Sequence, residues 1–323
     1  RYLPLISVLP LLFVICIQIL HEMKTTRHLP VLLVLVAVLF SCDKSQPEAL
    51  SLLEQAEQMI EVDLDSALVL IDSIYYPEKS FNTEGYMCYV VRRVQIRYKN
   101  YLPVSEDTLV FDAKKYFTTK SRDPEMASLA CYYSGCVRRE QGDLHQAMLD
   151  YKEALSYASN TSDDALKGLI QYNLGELFSE HGFYKEALDN YLLAEQIYRQ
   201  SPGDYRDKEV HCKSEIGQMY LLLDEPDSSF ANFHKGLEIA ESLNRGKLQS
   251  LITQNLSVSY AHIKEYDKAR EFLHRSISLS EDSTLKPVYY LNLGQLYTRT
   301  GQSDSLSFYM NKLIETVDST TDF

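Results

Sequence analysis

A pattern of small residues recurs through the second half of the chain at a nearly constant spacing. In the segment Cys131–Leu155, Gly135 and Ala147 lie twelve residues apart, and Gly175 and Ala187 repeat that separation in the next copy. A glycine inside a helix costs about 1 kcal/mol relative to alanine, so its recurrence indicates a place where two helices approach closely. Self-similarity at a fixed period is typical of repeat proteins. The sequence therefore predicts an all-α fold built from pairs of helices.

The alignment extends over five copies, each with a first and a second helix. We call the small first-helix residue the anchor position, and its successive spacings are 40, 42, 40 and 37 residues. The anchor residues are Gly135, Gly175, Gly217, Ser257 and Gly294. Twelve residues later the second helix carries Ala147, Ala187, Ser229, Ala269 and Leu306. Four residues further on come Tyr151, Tyr191, Phe233, Leu273 and Met310.

This layout resembles the tetratricopeptide repeat (TPR), whose unit is about 34 residues. The resemblance covers residues 121–323 as a TPR array and, more loosely, residues 49–120 as degenerate helical repeats. It implies an α-solenoid of about seven antiparallel helix pairs, stacked as a right-handed superhelix. The longer period of this chain implies extra residues in the loops or extended second helices.

In TPR proteins the first helices line a concave groove that binds peptides, so the resemblance also implies a set of binding residues. Carried over position by position, they are Leu129, Tyr132, Arg139, Leu169, Tyr172, Glu176, His211, Gln218 and Gln254, together with Ser214, Leu251 and His262. The leucines and tyrosines of the first two copies suit an apolar anchor of a peptide or helix. Alternatively, the tyrosines pack within the repeats and place only a hydroxyl at the solvent edge. The basic and asparagine residues that grip chain-terminal carboxylates in chaperone-binding relatives are absent here, which disfavours that mode of recognition.

Two apolar stretches precede the repeats. We interpret residues 1–22 as upstream sequence read through from a wrong start, or alternatively as a membrane helix. Residues 23–41 have the order of a secretory signal, in which a basic start precedes an apolar core too short to span a membrane comfortably. The core ends in Leu39-Phe40-Ser41-Cys42, which resembles a bacterial lipobox and implies that Cys42 becomes the lipidated first residue. Residues 42–48 then form a tether. The alternative is that Leu29 to Cys42 belong to a membrane helix.

Composition and motifs argue against several other classes of protein. The formal net charge of −13 disfavours a nucleic-acid-binding surface, which concentrates lysine and arginine on one face. The chain lacks the GxSxG, HExxH, phosphate-loop and dinucleotide motifs, so we predict a non-enzymatic protein without a cofactor. His211 stands beside Cys212, but no third ligand lies within sequence reach, and no metal site is predicted.

These observations favour a scaffold of the bacterial cell envelope, anchored by lipid and facing the periplasm or the surface, that binds a protein or peptide partner through its groove. The chain resembles TPR lipoproteins of Bacteroidota, especially in MKTTRHLP, SCDKS and DSALVLIDSI. Some of those proteins continue into a membrane helix and a signalling or DNA-binding domain. That continuation gives a second hypothesis, the extracytoplasmic sensor part of a membrane-bound transcriptional regulator. The end at Phe323 without a polar capping helix favours it. A third hypothesis is glycan capture, which the absence of tryptophan disfavours.

Overall fold

The structure is a computed structural model that describes residues 45–280 and 286–318. Within these residues the chain is all-α, with fifteen helices and no strand. The prediction of an all-α fold is confirmed. The predicted signal segment and Cys42 lie outside the described residues. The chain divides into two compact units, Arg1–Asn100 and Tyr101–Phe323, which are described separately below.

The described part of the first unit contains four helices. They are α1 (Pro47–Met59), α2 (Leu64–Asp72), α3 (Pro77–Ser80) and α4 (Thr83–Lys99). Proline at the first position suits the start of α1, because its missing N–H would have no partner there. The Asp63 side chain caps α2 by accepting a hydrogen bond from the Ser66 amide at 3.1 Å. Ala56, Ala67 and Val91 are fully buried, so small side chains let these helices pack closely.

The second unit is a series of consecutive helix pairs that follows a single helix, α5 (Leu109–Thr119). The pairs are α6 (Pro124–Glu140) with α7 (Leu144–Ala158), α8 (Asp164–Glu180) with α9 (Tyr184–Gln200), α10 (Arg206–Leu222) with α11 (Pro226–Ser242), α12 (Gly246–His262) with α13 (Tyr266–Leu279), and α14 (Lys286–Thr300) with α15 (Ser303–Asp318). Helix α5 packs on α6, and the Arg138 guanidinium lies over the Phe111 ring at 4.4 Å. The structure therefore groups α5 with the array rather than with the preceding degenerate segment.

The number of helix pairs is close to the predicted one. The array of the second unit supplies five pairs, and α1 packs with α2 as a sixth. Helix α4 belongs to the first unit and α5 to the second. The described residues thus contain six pairs, and the remaining helices α3, α4 and α5 stand singly in the chain order.

Three of the anchor glycines are required because an aromatic ring of the second helix occupies the space where their side chains would lie. A Cβ atom added at these glycines would meet the ring at 2.5 to 2.8 Å, which no real Cβ contact tolerates. The anchor and ring partners are Gly135 with Tyr151, Gly175 with Tyr191, and Gly217 with Phe233. The predicted close approach is confirmed. The ring that fills the gap lies four residues beyond the small second-helix residue.

The fourth copy satisfies the same position in a different way. Its anchor is Ser257, whose hydroxyl donates a hydrogen bond to the Ala269 carbonyl at 2.7 Å. The residue at the ring position is Leu273, a smaller and fully packed side chain. A hydroxyl and a leucine thus replace the glycine and the ring of the first three copies.

The turn between the two helices of each pair places one residue in the left-handed backbone region. That residue lies seven positions after the anchor in every copy, with φ between 62° and 80°. The residues are Gly142, Gly182, Asp224, Lys264 and Gly301. Only glycine occupies this region without a steric cost, so Asp224 and Lys264 are held there by the surrounding fold.

Candidate functional site

The first helices α6, α8, α10, α12 and α14 lie side by side and form one surface, which we call the first-helix face. Asn173 of α8 donates a hydrogen bond to the Tyr132 hydroxyl of α6 at 2.9 Å. Asn255 of α12 donates in the same way to the Ser214 hydroxyl of α10 at 2.7 Å. Both asparagines stand two residues before an anchor, so the link belongs to the repeat. The next comparable position, two residues before Gly217, is occupied by Glu215.

Three of the predicted groove residues are buried inside the array, and one of them, Ser214, is 0% exposed. Leu129 is 5% exposed and Tyr132 is 1% exposed. The Tyr132 ring stacks on Tyr151 with centroids 5.5 Å apart, and its hydroxyl accepts the hydrogen bond from Asn173. These residues offer almost no surface to a partner, so the prediction of an exposed anchor there is wrong. Tyr132 instead packs within the repeats, which was the alternative prediction. Its hydroxyl bonds to the buried Asn173 amide rather than lying at the solvent edge.

The remaining predicted residues keep part of their surface exposed. They are Arg139, Leu169, Tyr172, Glu176, His211, Gln218 and Gln254, together with the half-buried Leu251 and the exposed His262. Tyr172 packs edge-on against Tyr191 with centroids 5.2 Å apart, which holds its ring in place. Burial lowers the pKa of His211, so this imidazole stays neutral more readily than an exposed one. The structure therefore brings most of the predicted set onto one face.

Charged side chains concentrate on the first-helix face at α6, α8 and α10. The Arg139 guanidinium donates to Glu176 at 2.7 Å and also to Glu180. Burial by itself lowers the pKa of Arg139, but the hydrogen bonds and charges of the two glutamates raise it above its ordinary value. Arg139 therefore stays charged and fixes both carboxylates along α8.

Glu215 is the least compensated carboxylate of this face. Burial raises its pKa to about 7, and the nearby charge of Glu176 adds to the effect. The Gln218 amide donates to it at 3.4 Å, and among the described residues no cationic side chain forms an ion pair with it. The pKa of Tyr172 is raised by burial first and then by Glu215 and Glu176. A cationic side chain placed here would form an ion pair with the Glu215 carboxylate.

Exposed aliphatic side chains continue the face through α10, α12 and α14. We call them the aliphatic patch, and each is between 43% and 52% exposed. Its members are Leu222, Val258, Val288 and Leu291. The sequence analysis missed Val288 and Leu291 because the groove positions were carried over only as far as the fourth copy, and it did not select Leu222 and Val258 in the third and fourth copies. The signal was present, since Val288 and Leu291 stand at the positions of Leu129 and Tyr132 relative to the anchor.

A small cleft of about 50 Å³ opens beside the patch between α12 and α14. It is lined on this face by Gln254, Val258, Asn292, Gln295 and Arg299. The cleft mixes amide, aliphatic and guanidinium groups and is too small to enclose a free ligand. It has room for the end of one side chain of a bound chain. Gln254, a predicted groove residue, is thereby placed on an accessible surface.

The most deeply buried charge of the array is fully occupied by structural contacts. Asp150 of α7 is 3% exposed and is bonded by Lys114 at 2.6 Å, by Arg138 at 3.1 Å and by Ser134. These bonds join α5, α6 and α7. Because each oxygen of Asp150 has a partner, the carboxylate serves packing and is not available for catalysis.

In residues 45–280 and 286–318 no three histidine, cysteine, aspartate or glutamate side chains are placed to hold a metal ion. Cys131 and Cys212 are buried thiols, and burial is the main cause that raises the pKa of each. No helix among the described residues is long and apolar enough to cross a membrane.

Comparison with known proteins shows a shared fold. No protein-family model matches the chain. Response regulator aspartate phosphatase A of Bacillus subtilis (strain 168) is 24% identical over 155 residues, which span 46% of this chain and 39% of that protein. The chain thus matches well under half the length of this relative.

Solved structures extend the likeness over most of the chain. The apo form of RapI has a TM-score of 0.68 at 17% identity, covering 84% of this chain and 77% of its own. A Rap protein complexed with Competence and Sporulation Factor has a TM-score of 0.65 at 16% identity, covering 85% and 78%. The TPR-like repeats of a Podosopora anserina kinesin light chain have a TM-score of 0.51 at 12% identity, covering 59% and 92%. The fold is a TPR-like helical repeat. Identities this low show the fold alone, so the TPR resemblance is confirmed at the level of architecture.

Proposed function

We propose that this chain is a TPR-like binding protein that captures a protein or peptide segment on its first-helix face and performs no chemistry itself. The observation that carries the proposal is the aliphatic patch of Leu222, Val258, Val288 and Leu291. Four aliphatic side chains on neighbouring first helices are about half exposed, and exposed apolar side chains grouped on one face mark interaction sites. They continue a face that already carries Arg139 and the glutamates of α8 and α10.

The likeness to a Rap protein complexed with Competence and Sporulation Factor supports a binding role, because that structure has the same fold and holds a partner. In this chain the accessible part of the face lies further along the array than the sequence suggested. Leu129 and Tyr132 are packing residues, whereas α10, α12 and α14 present the apolar surface. The proposed binding surface therefore runs from α8 to α14.

Site-directed photo-crosslinking tests the proposal. A photoreactive amino acid at Val258 should form a crosslink to a partner in cells that express the full chain, because Val258 lies in the middle of the patch. The matched control is Leu193, an equally exposed aliphatic residue on the second helix α9. Crosslinks of the same identity and yield from both positions, or from neither, would refute a binding surface on the first-helix face.

We also propose that the protein is held at the bacterial cell envelope by a lipid on Cys42, as in TPR lipoproteins of Bacteroidota. The support is the order of basic start, short apolar core and lipobox-like ending in residues 23–42. A diacylated and N-acylated cysteine binds a membrane far more firmly than a single chain does. Cys42→Ala should release the protein from membranes, whereas Cys88→Ala should leave it bound. Retention of Cys42→Ala in the membrane fraction would count against the anchor.

A further inference from the structure

We infer that the segment bound on the first-helix face carries a basic side chain, held by Glu215 and Glu176, next to aliphatic side chains that cover the aliphatic patch. This inference rests on the proposed function and adds the chemistry of the partner. It makes Glu215 the residue that selects the partner.

The charge of the face sets the first half of the inference. Along α8 and α10 it presents three carboxylates, those of Glu176, Glu180 and Glu215, against the single guanidinium of Arg139. Arg139 is already bonded to two of them. Glu215 occupies the position at which the neighbouring first helices carry an asparagine that donates to the preceding helix. An ionised carboxylate cannot donate such a bond, so Glu215 lacks this link and keeps acceptor capacity for a donor from a partner.

The surroundings of Glu215 favour a cation over a neutral donor. The nearby ionisable groups include Glu176 and Tyr172 of α8, Tyr191 of α9 and Cys212 of α10. The cations that act on these groups are already bonded to other carboxylates, Arg139 to Glu176 and Glu180 and Lys213 to Glu195. The Tyr172 ring, fixed against Tyr191, also supplies an aromatic surface for the stem of a long basic side chain. A lysine or arginine would therefore gain a carboxylate partner and an apolar contact together.

The aliphatic patch sets the second half. Adjacent packed helices lie about 8–10 Å apart, so Val258 of α12 is roughly one helix spacing from Glu215 and Leu291 of α14 roughly two. An extended chain advances about 3.3 Å per residue. The bound segment should therefore carry its basic residue about three residues from one aliphatic side chain and about six from another. A helical partner would need different spacings, so the sequence preference also reports its conformation.

Defined peptides test this chemistry on the full chain in a mild detergent. The probe is a fluorescent peptide on a serine–glycine background, with one arginine and two leucines at the spacing given above. In one comparison peptide glutamine replaces the arginine, and in another serine replaces both leucines. We expect the wild-type chain to bind the arginine peptide about tenfold more tightly than the glutamine peptide, because a partly buried charge pair is worth about that much.

Two variants separate the contributions. Glu215→Gln should reduce the arginine-to-glutamine affinity ratio to near one and leave the leucine preference intact. Val258→Ser combined with Leu291→Ser should weaken both peptides equally, and Leu193→Ser should change neither. Far-UV circular dichroism confirms that each variant is folded. In the wild-type protein the arginine peptide should also bind more tightly as pH is raised through about 7, where Glu215 loses its proton.

The outcomes distinguish the two proposals. Equal affinity for the arginine and glutamine peptides, or an unchanged ratio in Glu215→Gln, overturns the selection of a basic side chain while leaving a binding face intact. Absence of binding by every peptide, together with no crosslink at Val258, overturns the proposed function itself. A ratio that disappears in Glu215→Gln and depends on pH in wild type establishes the inference.

Discussion

One of the close glycine–ring contacts of the array predicts an unusual response to a small substitution. In Gly217→Ala the new methyl carbon would lie 2.6, 2.8 and 2.8 Å from three atoms of the Phe233 ring. That ring is fully buried among Val210, Leu237 and Ile252, so it has no space into which to rotate. Overpacking of this kind costs about 1–3 kcal/mol, and the better helix propensity of alanine returns about 1 kcal/mol. We expect a net loss of up to about 2 kcal/mol in the free energy of unfolding.

The fifth copy provides the matched control at the same repeat position. In Gly294→Ala the nearest atom is the Met310 sulfur at 3.2 Å, at the flexible end of a partly exposed side chain. Methionine moves aside easily, so the propensity gain should dominate and Gly294→Ala should be neutral or stabilising by up to about 1 kcal/mol. The assay is urea unfolding of the full chain in mild detergent, followed by far-UV circular dichroism. Hydrogen exchange of the α10 and α11 amides assigns the change to the third copy.

A double-mutant cycle identifies the ring as the cause. Phe233→Leu alone should cost on the order of 1–2 kcal/mol because it leaves a cavity. Combined with Gly217→Ala, the added methyl fills part of that cavity, so the double variant should lose less than the sum by at least about 0.5 kcal/mol. If the two changes are additive, or if Gly217→Ala is as stable as Gly294→Ala, the packing argument is refuted.

Four further substitutions have effects whose direction the structure determines. Ser229→Ala should raise the free energy of unfolding by about 1 kcal/mol in urea titration, because among the described residues the buried Ser229 hydroxyl has no hydrogen-bond partner; an unchanged midpoint would show that the hydroxyl is satisfied. Lys264→Gly should stabilise by roughly 1 kcal/mol, since its φ of 64° strains any residue with a Cβ atom, and Gly182→Ala at φ 76° should destabilise by a similar amount. The folded protein binds a proton at Glu215 more tightly than the unfolded chain, so this group lowers stability as pH rises from about 4.5 to about 7. Glu215→Gln should therefore be more stable than wild type above pH 7, by at most about 3 kcal/mol, and equal to it near pH 4 in paired urea titrations; a constant difference across that range would contradict the assignment.

The repeat architecture was accessible from the sequence because its determinants are local and periodic. The spacing of Gly135, Gly175 and Gly217 reports a contact between two helices of one pair, so each copy carries its own signal. Five copies of the same signal also average out the departures of Ser257 and Leu306. The left-handed turn residues were equally regular, although only three of the five are glycines.

The candidate site was less predictable because it depends on contacts between copies. Tyr132 is buried because Asn173, 41 residues later, completes its hydrogen bond. Nothing within the first copy distinguishes this tyrosine from an exposed one. Glu215 likewise resembles any solvated glutamate until its register with Asn173 and Asn255 is known. The exposed patch on α14 could have been found by carrying the groove positions into the fifth copy.

Two combinations of residues fill the contact between the paired helices, glycine opposite an aromatic ring and serine opposite leucine. This has a consequence for how the sequences of repeat arrays change in evolution. Moving from one solution to the other requires two substitutions, and the order matters. A ring introduced opposite Ser257 would collide with the hydroxyl that bonds Ala269, whereas glycine introduced first would merely leave a gap. The accessible order is therefore the one in which glycine replaces serine before the ring replaces leucine. A consensus repeat that averaged these two positions independently across the copies would combine halves that do not fit.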